Sequence, residues 1–449
     1  MAGTSSCSMI DPIRGNTTFL LQHPKGGPMT APTPAVEERQ ASAQSALVDW
    51  AGRAGRALAV ALGSVLFAFV VGGVIVAVTK GNPLLTYQSL ICGGFGVFCV
   101  NGENPVLQLS FTLVFTTPLI LAGLAVAIAF RAGLFNIGAE GQFVMGAIAT
   151  TVVGIKLGSW PAWALLPLVL VVGMLAGALW GGLVGLLKAT TGAHEVVTTI
   201  MLNFVALWLL RYLIVGGPLQ SPGAFNASPS IGTGAQLPPL IQGNGQFFDL
   251  PASVFTAHTG IFVALLAALV YSFLLRRTSL GYEIRAVGQS QRAARYGGVS
   301  IRRTIIVTML ISGAFAGLAG AVQIAGVDHR LVDVYFSDTT GFDAIAVALL
   351  GQTTGVGVVL AAILFGALHS GSRIMQLDAN ISGNLVFVLE ALVLFSLAAN
   401  FLRTVKVRLP ALGRRPAAPP GATIAEPEAE AESSLVADSS RVADSGNTA

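Results

Sequence analysis

Apolar residues in this chain come in runs of about 20 broken by short polar stretches, the length an α-helix needs to cross roughly 30 Å of hydrocarbon. The runs predict spans at 57–79, 109–130, 138–155, 164–187, 195–214, 260–275, 304–325, 342–351, 356–371 and 385–402. The eighth is too short to cross alone and reads as a half-helix or re-entrant segment that its neighbours must bury. The pattern therefore predicts an all-α polytopic membrane protein of about ten transmembrane helices.

Composition agrees: 53% of the residues are apolar and 10% charged, against about 25% charged in a soluble domain. That excludes a soluble enzyme, a disordered scaffold and a secreted disulfide domain. The ends differ from the middle. Residues 1–52 are mixed and polar and 409–449 form an acidic Ala/Pro/Glu/Ser tail, so both read as disordered extensions around a transmembrane domain at 53–408. No apolar stretch lies close to the start, so the first span is expected to act as an uncleaved signal.

Residues 1–408 hold 22 basic against 15 acidic residues, and no basic stripe is interleaved with aromatics, which argues against a nucleic-acid partner. With the N-terminus in the cytoplasm, fourteen Lys and Arg near the spans fall on the inner side and five on the outer. Both termini are thus expected on the cytoplasmic side of the membrane. This topology leaves outer loops at 80–108 and 215–259 and an inner loop at 276–303 with seven arginines and one glutamate. Cys92 and Cys99 share the first outer loop, where either a disulfide or free thiols fit.

Gly173, Gly177, Gly181 and Gly185 recur every four residues in the fourth span, and Gly313 and Gly317 repeat the spacing in the seventh. Such stripes let helix backbones approach closely in lipid, as static packing or as a sliding surface. Polar groups at membrane depth are costly and need an account. Asn136 and Glu140 are four apart, which puts them on one helical face, with Gln142 beside them, and Gly133, Gly138 and Gly141 permit a bent or unwound backbone. Glu195, Thr199 and Asn203 follow at i, i+4 and i+8 in the fifth span, so two polar faces can meet inside the bundle. For Glu140 and Glu195 a structural role and contact with a transport path both stand; Glu390 reads as a buried bundle contact rather than a proton carrier.

Catalytic patterns fail on inspection. His194-Glu195 begins like the zinc motif H-E-x-x-H, but Thr198 occupies the second histidine position. There is no G-x-S-x-G elbow, and no lysine follows a glycine as a Walker A loop requires. The chain is expected to be no enzyme and to hold no cofactor or metal; any ATP must be bound by another chain.

Four blocks, PLILAGLAVAIAFRAGLFNIGAEGQFVMGA (118–147), HEVVTTIMLNFVALWL (194–209), GYEIRAVGQSQRAARYGGVSIRR (281–303) and GFDAIAVALLGQTTGVGVVLAAILFGALHSG (341–371), resemble permease subunits of bacterial ABC importers. The superfamily is that of ribose and branched-chain amino acid permeases, and the likeness is greatest to the simple-sugar and nucleoside systems that work with a basic-membrane-protein-type lipoprotein. The resemblance covers roughly 57–402 and implies an external binding lipoprotein, a second permease subunit and a cytosolic ATPase as partners. It also implies a coupling helix in the 276–303 loop, carried here by Arg285, Ala286, Gly288, Ala293, Ala294, Tyr296 and Gly297. Small residues there would seat the helix in a groove of the ATPase, and arginines would pair with acidic groups.

The resemblance further implies two halves of inverted topology, spans two to five and seven to ten, each with a Gly-rich break, at 133–142 and 341–352. If the breaks face the pathway, Phe135, Asn136, Phe342 and Asp343 are candidates for substrate contact, since aromatic faces stack on a base or sugar and amides bond hydroxyls. Packing is the rival role for the aromatics, and the outer mouth a rival position for Asp343. The expected function is an ABC importer permease for a nucleoside or related simple sugar. The alternatives are a branched-chain amino acid permease, for which few charges are available to pair with a zwitterion, and a proton-coupled secondary transporter using Glu140, Glu195 or Glu390. A membrane receptor or scaffold would need a folded sensory domain, and neither tail reads as one.

Overall fold

A run of apolar residues in lipid satisfies its backbone polar groups only by winding into a helix, and each of the ten predicted runs is helical. The computed structural model describes residues 55, 61–79, 81–99, 102–223, 226–241, 246–247, 250–251, 255–333 and 340–404. The 1–52 and 409–449 extensions lie outside the described residues. The chain divides into two compact units, Met1–Leu397, which holds nearly all of the described helices, and Ala398–Ala449, in which only the end of the last helix is described.

The spans appear as α1 (Ala61–Val78), α3 (Pro105–Arg131), α4 (Ala139–Lys156), α5 (Ala162–Thr191), α6 (Glu195–Ile214), α7 (Gly260–Arg277), α10 (Ile301–Gln323), α11 (Thr340–Leu350), α12 (Gly355–Asp378) and α13 (Leu385–Thr404). Among the described residues, seven helices are long and apolar enough to cross a membrane, α4 is more polar, and α11 and the described apolar part of α13 are shorter. Their outward faces carry large apolar side chains, such as Leu175 and Leu179 on α5 and Phe262, Leu266 and Phe273 on α7. A water-facing surface of that kind would be costly, whereas a lipid-facing one is not.

Among the described residues, three α-helices lie outside the predicted spans. The loop expected at 80–108 contains α2 (Pro83–Phe95), capped by the Asn82 side chain, and the start of α3, where Asn104 caps Pro105–Arg131. At 13 residues α2 is too short to cross, and it packs instead on α12. There Gly93 lies against Gly371 and Ile374, Gly94 against Ala367, and Ser370 donates to the Gly93 carbonyl at 2.8 Å. Cys92 and Cys99 form a disulfide at its end. The inner loop contains α8 (Ser279–Gln289) and α9 (Gln291–Tyr296), capped by Thr278 and Ser290 respectively.

α5 and α10 form the closest helix pair. A Cβ on Gly177 would meet the Gly313 carbonyl and, at 2.5 Å, the Gly317 Cα, and the same holds in reverse for Gly313 and Gly317. The two stripes are thus one backbone-to-backbone contact. α4 joins it through Gly146, which lies on Gly317. Residues 226–241 lie against the end of α10, with Leu237 N–H donating to Ala325 O at 2.7 Å and Ile231 N–H to His329 O at 2.8 Å. α10 ends in one π turn, Ile324–Asp328. Among the described residues strand pairing is limited to the two-residue ladder Gln246–Phe247 with Leu250–Pro251 and two isolated bridges.

Candidate functional site

The first break follows Arg131. Gly133 adopts φ +71°, letting Leu134 N–H return to Ala129 O and end α3. α4 starts only at Ala139, so Asn136 is in the turn and does not share a helical face with Glu140, contrary to the expectation from spacing. The reason is local: the Asn136 Oδ1 accepts from Gly138 N–H at 3.0 Å, a side-chain bond that competes with helix. Asn136 Nδ2 donates to Gln142 Oε1 at 2.9 Å and to Ser312 Oγ of α10 at 2.7 Å. Asn203 of α6 holds the other side, accepting from Gly141 N–H at 2.9 Å and donating to Ile137 O at 2.9 Å. Gly141 is near the start of α4, where helical amides lack intrahelical partners, so Asn203 serves as a cap supplied from another helix.

Asn136, Glu140, Gln142, Thr199 and Asn203 are all buried. The structure gathers them around the break, where Asn136 and Gln142 bond to each other and Asn203 bonds to the backbone on both sides of Gly138. Thr199 donates to its own helix, to Glu195 O at 2.8 Å and Val196 O at 3.0 Å, and packs its methyl group on Gly138. Glu195 stays apart and pairs with Lys188 at 2.7 Å. The two breaks meet: the Glu140 carboxylate accepts the Gly341 amide at 2.6 Å, at the N-terminal end of α11. A carboxylate there is favoured by the partial positive charge of a helix N-terminus.

Phe135 and Phe342 are each 44% exposed, and Phe135 rests on Phe130 at 4.9 Å between centroids. Asp343 does not join the Glu140 network. It lies 3.5 Å from His369 Nε2 of α12, which also sits 3.1 Å from Glu390 of α13. Phe115 of α3 stacks on the His369 ring at 5.8 Å, Phe387 meets it edge-on at 5.9 Å, and Arg373, one turn along α12, lies 3.8 Å over the Phe111 ring. Sequence reasoning missed His369, Arg373 and these phenylalanines. The available signal was two ionisable residues inside the apolar α12, which is a functional hint by itself. Aromatic faces beside carboxylate, imidazole and guanidinium groups can stack a planar ring and bond hydroxyls or ring nitrogens.

The donor atoms of Asp343, His369 and Glu390 lie within 4.8 Å of one another, as do those of Cys92, Cys99 and Glu103. The second set is spent, since its sulfurs are bonded to each other. In the first, imidazole and carboxylates already face each other as partners.

The predicted coupling residues separate into two groups. Ala294 is 5% exposed and seats α9 on the protein's own body, whereas Tyr296 is 95% exposed, and Ala293 and Gly297 are open as well. Arg285 and Ala286 are half-buried. Gly288 lies directly on the Arg131 carbonyl, close enough that no Cβ would fit, so α8 touches the first break. His258, just before α7, is 3% exposed, its Nδ1 accepting from Gly260 N–H at 3.2 Å and its ring against Gly326. Burial, helped by nearby His329, pushes its imidazole down to about 4.

The family described as branched-chain amino acid transport system / permease component matches residues 108–397. The chain is 38% identical over 348 residues to the guanosine ABC transporter permease protein NupP of Bacillus subtilis, covering 77% of this chain and 94% of that one. It is 37% identical to the glucose ABC transporter permease protein TsgB13 of Haloferax volcanii, over 77% and 88% of the two chains. It is 33% identical to the nucleoside ABC transporter permease protein NupB of Lactococcus lactis, over 79% and 94%. No solved structure matches the chain.

Proposed function

This chain belongs to the family of permease components of branched-chain amino acid transport systems, and on that premise we propose that it is the membrane-spanning subunit of an ABC importer for a nucleoside or related sugar. The observation that carries the reading is similarity to guanosine, nucleoside and glucose permeases through 88–94% of their lengths. The Asp343–His369–Glu390 cluster with Phe115 and Phe387 supports it, offering polar partners for hydroxyls and flat faces for a base. In this reading Phe135 and Phe342 flank the path, and the Asn136, Glu140, Gln142, Thr199 and Asn203 network holds the broken backbone that borders it.

The partners are a cytosolic ATPase seated on the α8–α9 loop, a second permease subunit and an external binding lipoprotein. Tyr296, Ala293, Gly297 and the neighbouring arginines form the docking face, with both termini on the ATPase side. ATP is bound by the partner. The test is uptake into proteoliposomes holding this chain with its partner subunits, offered labelled guanosine, glucose and leucine with and without ATP. ATP-dependent uptake of nucleoside or sugar supports the reading. Leucine uptake alone, or ATP-independent uptake abolished by an uncoupler, overturns it.

A further inference from the structure

The arginines near one end of the bundle are not evenly spread. Arg131 at the end of α3, Arg276 at the end of α7 and Arg285 on α8 line one cavity of about 130 Å³, together with Tyr271, Ser272, Leu275, Thr353, Thr354 and Gly355. No acidic residue is among them. Among the described residues no salt bridge reaches these guanidinium groups; the acidic partners in Lys188–Glu195, His369–Asp343 and His369–Glu390 lie elsewhere. The placement of positive charge on one side of a membrane does not require this convergence. Arg277, Arg292 and Arg295 meet that need while exposed to solvent; Arg276 is exposed as well, but Arg131 and Arg285 are half-buried.

The wall is built and held. Arg131 donates to Thr353 O at 3.1 Å from both Nε and Nη2, and Tyr271 Oη donates to the same carbonyl at 2.7 Å. Thr354 caps α12, its Oγ accepting from Gly357 N–H at 3.1 Å, so the positive end of a 24-residue helix opens at the cavity. Gly355 lies directly against Ser272, so the start of α12 packs closely on α7 at this wall. Guanidinium forks match the oxygens of a phosphate group in charge and geometry. The volume takes one such group with a few waters, each of which needs about 30 Å³.

We propose that this cavity is a phosphate-binding site, and that its occupant ties α8 to the turn between α11 and α12. The group comes either from an anionic lipid headgroup of the adjacent leaflet or from free phosphate in solution. An occupied site restrains the α8–α9 loop, so anion binding would tune how the loop moves relative to the bundle.

The test uses the purified full chain and reads its unfolding midpoint. Delipidated protein in detergent receives inorganic phosphate or chloride at matched ionic strength; in parallel, nanodiscs of phosphatidylcholine alone are compared with nanodiscs containing phosphatidylglycerol. A saturable rise of several degrees with phosphate identifies the free anion, and a rise confined to phosphatidylglycerol discs identifies the headgroup. In either arm Arg276→Gln and Arg285→Gln should weaken the apparent affinity about tenfold, the loss of one charge-assisted contact of about 1.4 kcal/mol, while Arg292→Gln should leave it unchanged. No rise in either arm, or an equal loss in Arg292→Gln, overturns the proposal.

Discussion

Replacing Gly177 with Ala tests the helix contact on which the bundle is built. The new Cβ would meet the Gly313 carbonyl and lie 2.5 Å from the Gly317 Cα and 2.7 Å from its nitrogen, where ordinary contact is 3.4–4 Å. Both obstacles are backbone, so no rotamer change relieves them, and α5 and α10 must part by about 1 Å, an overpacking cost of about 1–3 kcal/mol. Against this, Ala gains about 0.8–1.0 kcal/mol over Gly in helix propensity. Gly63 on α1 supplies the control, because a Cβ there meets nothing within 4 Å. The same change at Gly63 should be neutral or stabilising by up to about 1 kcal/mol. Unfolding midpoints in one detergent compare the pair, with uptake measured alongside. Equal midpoints for the two variants would refute the packing argument. Lost uptake at an unchanged midpoint for Gly177→Ala would instead favour a sliding contact.

Glu140→Ala leaves the buried Gly341 amide without its carboxylate and should cost about 1.5–3 kcal/mol, whereas Glu140→Gln keeps an acceptor and should recover at least half, as read from denaturant midpoints. The His258 imidazole has a folded value of about 4 against the ordinary 6.5, so its stability contribution is complete above pH 6.5 and is lost as pH falls towards 4. The loss is at most about 3 kcal/mol; His258→Asn, which keeps an acceptor for Gly260 N–H, should flatten the pH dependence of the melting midpoint in that window. His369→Phe keeps the ring beside Phe115 but removes the partners of Asp343 and Glu390, and nucleoside uptake should fall about tenfold or more; unchanged uptake would return the triad to bundle cohesion. Gly288→Ala drives a Cβ into the Arg131 carbonyl and should lower substrate-stimulated ATP hydrolysis in the assembled importer more than the unstimulated rate, with equal loss of both counting against a coupling role.

The ten helices were legible because lipid enforces a pattern that apolar runs display openly. The errors fall where side chains act on the backbone. Asn136 looked helical by spacing, and only its bonds to Gly138, Gln142 and Ser312 reveal the turn. α2 lies in the outer loop that the span pattern leaves at 80–108; 13 residues cannot cross a bilayer, and the partner that makes so short a helix stable, α12, is more than 250 residues away in sequence. α12 itself extends to Asp378, beyond the predicted end at 371, since the polar stretch from Ser372 continues the helix. The Asp343–His369–Glu390 cluster was hidden for a related reason: each member lies in a different helix, and only the packing of three helices joins them.

Under the proposed coupling role, the position of α8 gives the α8–α9 loop a physical route into the bundle. Gly288 lies on the Arg131 carbonyl, Arg131 holds Thr353 by two hydrogen bonds, and Thr354 caps the helix that carries His369 and Arg373. Displacement of α8 therefore bears on the end of α3 and the start of α12 together, two helices that also supply Phe111, Phe115 and His369 to the polar and aromatic cluster. Adjacency alone does not make a transmission path; an element with two arrangements is required. The first break fits that requirement better than the helices do, because Gly133 already occupies left-handed space and its backbone amides are held by side chains that can exchange partners. Under the proposed coupling role, Asn136, Gln142 and Asn203, which hold the broken backbone, would serve as a latch, and motion of α8 would act by straining that latch rather than by bending an intact helix.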